Sequence, residues 1–157
     1  MPKVGEVCVI TSLLQLQTII KNYNGVVIDF WSQRCPPCMR FKPTFEGLAR
    51  ANQNEKIVFC AVETDNNREA SMAFQVSSIP QFNFFLNGEE SSKFIGADEN
   101  KFRAALLKLM EALSGKASEH MSLTYKQFKP MNKLPMSFSA TGQMDKMKQF
   151  IKNFATT

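Results

Sequence analysis

Val26-Val27-Ile28-Asp29-Phe30-Trp31-Ser32-Gln33-Arg34-Cys35-Pro36-Pro37-Cys38 is an apolar run, a short polar break and a pair of cysteines with two residues between them. The run reads as a strand buried on both faces, with Asp29 as its one charge. Inside such a run the carboxyl is expected to be buried, with a raised pKa that suits it to moving a proton. A helix is predicted from Cys35 to about Asn52. A Cys-x-x-Cys pair where a strand ends and a helix begins places the first sulfur at the helix N-terminus. Unpaired amides and the helix dipole favour the thiolate there, and the thiolate is the reacting species. The second cysteine lies one turn further in, less exposed and close enough to close a disulfide. Pro36 and Pro37 give up amides that have no helical partner in a first turn, and they stiffen the loop.

Half of a zinc site has the same spacing, but a structural zinc site needs a second cysteine pair or a Cys/His couple. Cys8 and Cys60 fall singly in apolar stretches, and the one histidine, His120, lies in a polar segment. No metal is expected. Cys8 and Cys60 read as small core hydrophobes without a function.

Working outward, Glu6–Thr11 reads as a short strand and Ser12 as the cap of a helix over Leu13–Tyr23, ended by Asn24-Gly25. Ile57–Val62 is a second buried strand, and Asn67 is placed to cap a helix over Arg68–Phe74. After Pro80, Phe82–Leu86 is a strand, Asn87-Gly88 a hairpin turn and Ser91–Ile95 the partner strand. Asn100–Leu113 closes the unit as an amphipathic helix with Phe102, Leu106, Leu109, Met110 and Leu113 inward. Strands alternating with helices, then a hairpin and a last helix, give an α/β fold of mixed sheet direction.

The chain has 157 residues, 44% hydrophobic and 21% charged, which is a globular composition. Its net charge of +5 is unevenly placed. Twelve Lys and Arg balance twelve Asp and Glu over residues 1–113, whereas residues 114–157 hold seven Lys against Glu119 and Asp145. The chain therefore divides into a neutral body (1–113), a polar linker (114–122) and a basic extension (123–157). A helix is expected from about Gln143 to Phe154, with Met144, Met147, Ile151 and Phe154 along one face. A neutral body with a basic tail does not make a nucleic-acid binder. No apolar run is long enough to span a bilayer, and a membrane partner is not expected. The opening Met1-Pro2-Lys3-Val4-Gly5-Glu6 lacks a signal-peptide profile, so a reducing, cytoplasmic location is the expectation.

Several of these residues together resemble the thioredoxin family. Asp29-Phe30-Trp31 precedes the cysteine pair at the family's spacing, and Pro43 lies five residues after Cys38, where thioredoxins kink the active-site helix. Ile79-Pro80 follows a helix and starts a strand, like the family's cis-proline, and Gly88 and Gly96 match its hairpin and exit. The resemblance covers roughly residues 5–113. It implies the thioredoxin fold, a mixed central sheet flanked by helices, here with a C-terminal extension. It further implies a protein-disulfide reductase acting through Cys35 and Cys38 in cellular electron transport and redox homeostasis, with Asp29 assisting Cys38. Trp31, Pro36, Pro37, Ile79, Pro80 and Gly96 would form the substrate-binding surface. Substrates would be disulfide-containing proteins and the electron source a thioredoxin reductase, with no cofactor beyond the Cys35–Cys38 disulfide. Two positions depart from the pattern. Arg34 replaces the usual second Trp and is expected to support the Cys35 thiolate or steer acidic partners. Pro36 replaces the usual Gly, a loop that also looks like tryparedoxins and nucleoredoxin. The extension is faintly similar to the opening of a PUL domain. The alternative reading is a thioredoxin-fold adaptor whose basic tail (123–157) binds a protein partner.

Overall fold

Five strands and four helices follow one another in a computed structural model that describes residues 2–115. The order is β1 (Val7–Val9), α1 (Leu13–Asn22), β2 (Gly25–Trp31), α2 (Pro36–Ala51), β3 (Ile57–Glu63), α3 (Arg68–Ala73), β4 (Gln81–Leu86), β5 (Glu89–Ile95) and α4 (Glu99–Ser114). The expected tail helix, with Met144, Met147, Ile151 and Phe154, lies outside the described residues, as does the PUL-like stretch. Met1–Leu113 forms one compact unit.

The sheet order is β1-β3-β2-β4-β5. β1 and β2 run parallel to β3, while β4 runs antiparallel to both β2 and β5. β2 is therefore flanked on both edges and, by its residue pattern, buried on both faces. That is why six consecutive residues from Val26 to Trp31 include one polar side chain. Val26, Ile28 and Phe30 pack on one face with Leu16, Ile19 and Ile20 of α1 and Ala70 of α3. Val27 packs on the other with Phe41, Phe45 and Leu48 of α2 and Phe102, Leu106 and Leu109 of α4. Strand alternation puts Asp29 and Trp31 on that second face, beneath the helix carrying the cysteines.

Phe102 shows how this layer is held. Its ring centre lies 5.3 Å from Phe41, 5.0 Å from Phe82 and 5.3 Å from Phe84, so one α4 residue ties α2 to β4. Full burial of such a side chain contributes about 1.5–3 kcal/mol. Gly25 opens β2 because a Cβ there would stand 2.6 Å from Leu113 Cδ1, which seats the last turn of α4 on the sheet.

Where the elements differ from expectation, local hydrogen bonding gives the reason. β1 is shorter than Glu6–Thr11 because Thr11 and Ser12 leave the sheet to start α1, Ser12 Oγ accepting from the Gln15 N–H at 3.1 Å. Asn67 stands at the α3 cap position but its side chain turns away and donates to the Glu63 carbonyl at 3.0 Å. Asn87 and Gly88 both have positive φ, 51° and 85°, the pairing that a two-residue hairpin turn requires. Cys8 and Cys60 are direct partners across β1 and β3, so neither stands alone as the separate apolar stretches suggested.

Candidate functional site

Cys35 is the N-cap of α2, and Pro36 and Pro37 occupy its first two positions. An N-cap side chain takes its hydrogen bond from the second or third amide of the helix. The second belongs to Pro37 and carries no hydrogen, so the third donates: Cys38 N–H points at Cys35 Sγ at 3.3 Å. Cys35 and Cys38 are disulfide-bonded, with Cα atoms 5.2 Å apart. Cys38 is 1% exposed and Cys35 is half-buried, so Cys35 presents the outer sulfur. Pro43 lies inside the same helix.

The Ile79–Pro80 bond is cis, and the Ile79 carbonyl lies 3.8 Å from Cys35 Sγ. A segment 44 residues further along the chain thus stands against the outer sulfur. Gly96 fixes it there: its N–H donates to the Pro80 carbonyl at 2.8 Å. The position needs glycine because its φ is +110°, which side chains rarely tolerate, and not because space is short. Ile79 also borders a shallow recess of about 230 Å³ with Thr64, Ser71, Val76, Ser77 and Ser78.

Asp29 is 4% exposed, and its Oδ1 has no hydrogen-bond partner. Burial pushes its carboxyl up from 3.8 to about 7, against the attraction of the Lys42 ammonium. Lys42 is also placed over the Trp31 ring, with Nζ 5.0 Å from its centre. Trp31 itself is half-buried. The ring screens one side of the cation, and the cation tempers the carboxyl beneath.

The loop before Cys35 is organised around Arg34 by Ser32 and Asp65, two residues that the sequence did not single out. Ser32 is buried, donates from Oγ to Asp65 Oδ2 at 2.5 Å and accepts the Arg34 N–H at 3.1 Å. The Arg34 guanidinium pairs with Asp65 Oδ1 at 3.1 Å. These two donors hold the Asp65 carboxyl below its usual range, Ser32 first and Arg34 second. Arg34 is therefore tied to the turn after β3 through Asp65 while most of its side chain stays exposed. Nothing in the spacing of residues 32 and 65 announces this triad. Lys42, by contrast, was findable as the residue one helical turn beyond Cys38.

Of the predicted site residues, Cys35, Cys38, Pro36, Pro37, Ile79, Pro80 and Gly96 thus stand in one connected cluster. Asp29 and Trp31 belong to the strand that ends beside it, on the face that α2 covers. A family model for thioredoxin matches residues 8–110. The chain is 33% identical over 98 residues to a thioredoxin of Malassezia sympodialis, covering 62% of this chain and 93% of that protein. It is 34% identical over 85 residues to the thioredoxin of Ovis aries, covering 54% and 79%. Among solved structures, Malassezia sympodialis thioredoxin superposes with a TM-score of 0.63 at 31% identity, over 70% of this chain and 95% of that one. Fasciola hepatica thioredoxin gives 0.61 at 31% identity, over 64% and 97%.

Proposed function

The chain belongs to the thioredoxin family, and on that premise we propose that it reduces protein disulfides in a cycle opened by Cys35 and closed by Cys38. Thiol–disulfide oxidoreduction itself follows from the family and from the bonded Cys35–Cys38 pair. The order of events rests on one observation, the unequal burial of the two sulfurs. In the reduced protein the Cys35 thiolate, with the Cys38 N–H aimed at it, attacks one sulfur of a substrate disulfide. The substrate S–S bond breaks, the departing sulfur takes up a proton, and a mixed disulfide joins Cys35 to the substrate. The substrate backbone lies along Ile79-Pro80, with Trp31, Pro36, Pro37 and Gly96 completing the surface. Asp29, ionised in part near neutrality, accepts the Cys38 proton, directly or through a water. Cys38 then attacks Cys35 Sγ, the substrate's second thiolate leaves and is protonated, and the Cys35–Cys38 disulfide is restored.

Each turnover moves two electrons to the substrate, so a dithiol reductase of the thioredoxin reductase class must return them. A reducing compartment such as the cytoplasm suits this role in electron transport and redox homeostasis. Residues 114–157 are, in this reading, an appendage to a redox body that is complete at Leu113. The experiment is insulin-disulfide reduction driven by a thioredoxin reductase. Cys35→Ser abolishes turnover, and Cys38→Ser accumulates mixed disulfides. Wild-type turnover from Cys35→Ser, or trapping by that variant instead of Cys38→Ser, would overturn the assignment.

A further inference from the structure

Cys8 and Cys60 lie on the opposite face of the sheet from α2, among the residues covered by α1. They are directly opposite each other in the parallel β1–β3 register, flanked by Val7↔Phe59 and Val9↔Ala61. Neighbouring strands run about 4.7–4.9 Å apart, inside the Cα separation of about 4.4–6.8 Å that a disulfide spans. Both thiols are free, and each shifts the titration of the other. Cys60 is wholly buried, whereas Cys8 is half-buried on a three-residue strand at the sheet's edge.

The surroundings distinguish the two sulfurs. Gln15 of α1 has its side-chain oxygen occupied by the Thr11 N–H at 2.8 Å and the Thr11 hydroxyl at 3.2 Å. That turns its amide nitrogen toward Cys8 Sγ, at 4.0 Å. Cys8 thus has the Gln15 amide on one side and Cys60 as its cross-strand partner on the other. Interaction with the Cys60 thiol holds Cys8 down at about 7 against the opposing effect of burial, and the same interaction, with burial added, pushes Cys60 up. The arrangement is an accessible nucleophile with a proton-bearing resolving thiol behind it.

We propose that Cys8 and Cys60 are a second redox couple, separate from Cys35–Cys38, which a small hydroperoxide oxidises to a disulfide that staples edge strand β1 to β3. The Cys8 thiolate attacks the terminal peroxide oxygen and the O–O bond breaks. Cys8 becomes a sulfenic acid, and the departing hydroxide or alkoxide takes up a proton. The Cys60 thiol gives up its proton, and its sulfur attacks Cys8 Sγ. The S–S bond forms, the S–O bond breaks, and hydroxide leaves as water. With hydrogen peroxide, two thiols and one peroxide yield one disulfide and two waters. Burial of Cys60 directs the sulfenic acid to this neighbour, and α1 over the pair excludes larger oxidants.

The test uses the full chain, reduced and then given hydrogen peroxide, with remaining thiols alkylated before trypsin digestion. Cleavage after Lys3, Lys21, Lys56 and Arg68 places Cys8 in peptide 4–21 and Cys60 in peptide 57–68. The expected product is these two peptides joined, lost on treatment with dithiothreitol. It should form equally in a Cys35→Ser/Cys38→Ser double variant, which keeps the result independent of the first site. In that variant both alkylatable thiols are lost together from a monomer. Cys8 driven to sulfinic acid while Cys60 stays alkylatable would overturn the proposal. So would a Cys8-linked dimer, a Cys8–Cys35 bond in the wild type, or two thiols that survive peroxide intact.

Discussion

Replacing Asp29 by Asn should make the protein more stable above neutrality and leave it no more stable in acid. The carboxyl titrates at about 7 in the folded chain against 3.8 for the free group. Between those values the folded state holds a proton that the unfolded chain has released, so stability falls as pH rises through that window. Above about 7 both states are ionised and the loss levels off. A difference of about three units at about 1.36 kcal/mol each makes the full swing on the order of 4 kcal/mol. Asn carries no charge at any pH and removes the swing. It also brings an amide into a site where Oδ1 already lacks a partner, an offset of about 1–3 kcal/mol. The pH dependence of the difference is therefore the diagnostic quantity, because the offset does not change with pH.

Urea unfolding of the wild type and Asp29→Asn, at roughly pH 4 and roughly pH 8, measures it by linear extrapolation. The stability difference should move in favour of Asn by about 2–4 kcal/mol between the two conditions, on the order of 10 °C in Tm. A difference that stays constant with pH would refute the buried, titrating carboxyl. Insulin reduction by Asp29→Asn should be slower, since Cys38 loses the group proposed to take its proton.

Lys42→Met removes the cation that opposes the burial of Asp29, so the carboxyl should titrate above the wild-type value of about 7 and the acid-side stability gain should extend to higher pH. Carboxyl titration followed by NMR checks this, and an unmoved midpoint would exclude Lys42 as the source. Pro37→Ala restores an amide hydrogen at the second position of α2, and a second donor to Cys35 Sγ should raise its alkylation rate at neutral pH by about 2–5-fold; an unchanged rate would mean the new amide does not reach the sulfur. A chain ending at Gly115 should fold and reduce insulin within about 3-fold of the full-length rate, because α4 is complete at Ser114 and Leu113 is seated against Gly25. Insolubility or inactivity of that chain would place residues 116–157 in the core.

What could be read from the chain followed how local each signal was. The Cys35–Cys38 site was legible because a strand end, a first-turn proline pair and a helix start all lie within thirteen consecutive residues. β2 was legible because an element buried on both faces must be apolar nearly throughout. The Asn87-Gly88 hairpin was legible because its turn demands positive φ. The Ser32–Arg34–Asp65 cluster was not, since Asp65 comes from the turn after β3 and its sequence neighbours say nothing about Ser32. Nor was the meeting of Cys8 with Cys60. The sequence shows two strands but not their register, and a shift of one residue would have put the thiols on opposite faces. The cis state of Ile79–Pro80 came from family resemblance, because the strand-start position alone does not choose the isomer.

The two departures from the family pattern acquire a common meaning once the charges around the disulfide are traced. Arg34 is bound to Asp65, and with the guanidinium side chain 82% exposed the pair is screened by solvent, so it organises the loop more than it stabilises the fold. Pro36 and Pro37 contribute no amide hydrogen, which leaves the Cys38 N–H as the one donor found on Cys35 Sγ among the described residues. In the proposed cycle, attack and resolution therefore draw on different groups. The Cys35 thiolate depends on the end of α2, while deprotonation of Cys38 is assigned to Asp29, whose titration is set by burial and Lys42. Arg34 enters neither step directly. With its exposed guanidinium one residue before Cys35, it is expected to act in the proposed cycle on which disulfides are met, through complementarity with acidic neighbours, and not on how they are cleaved.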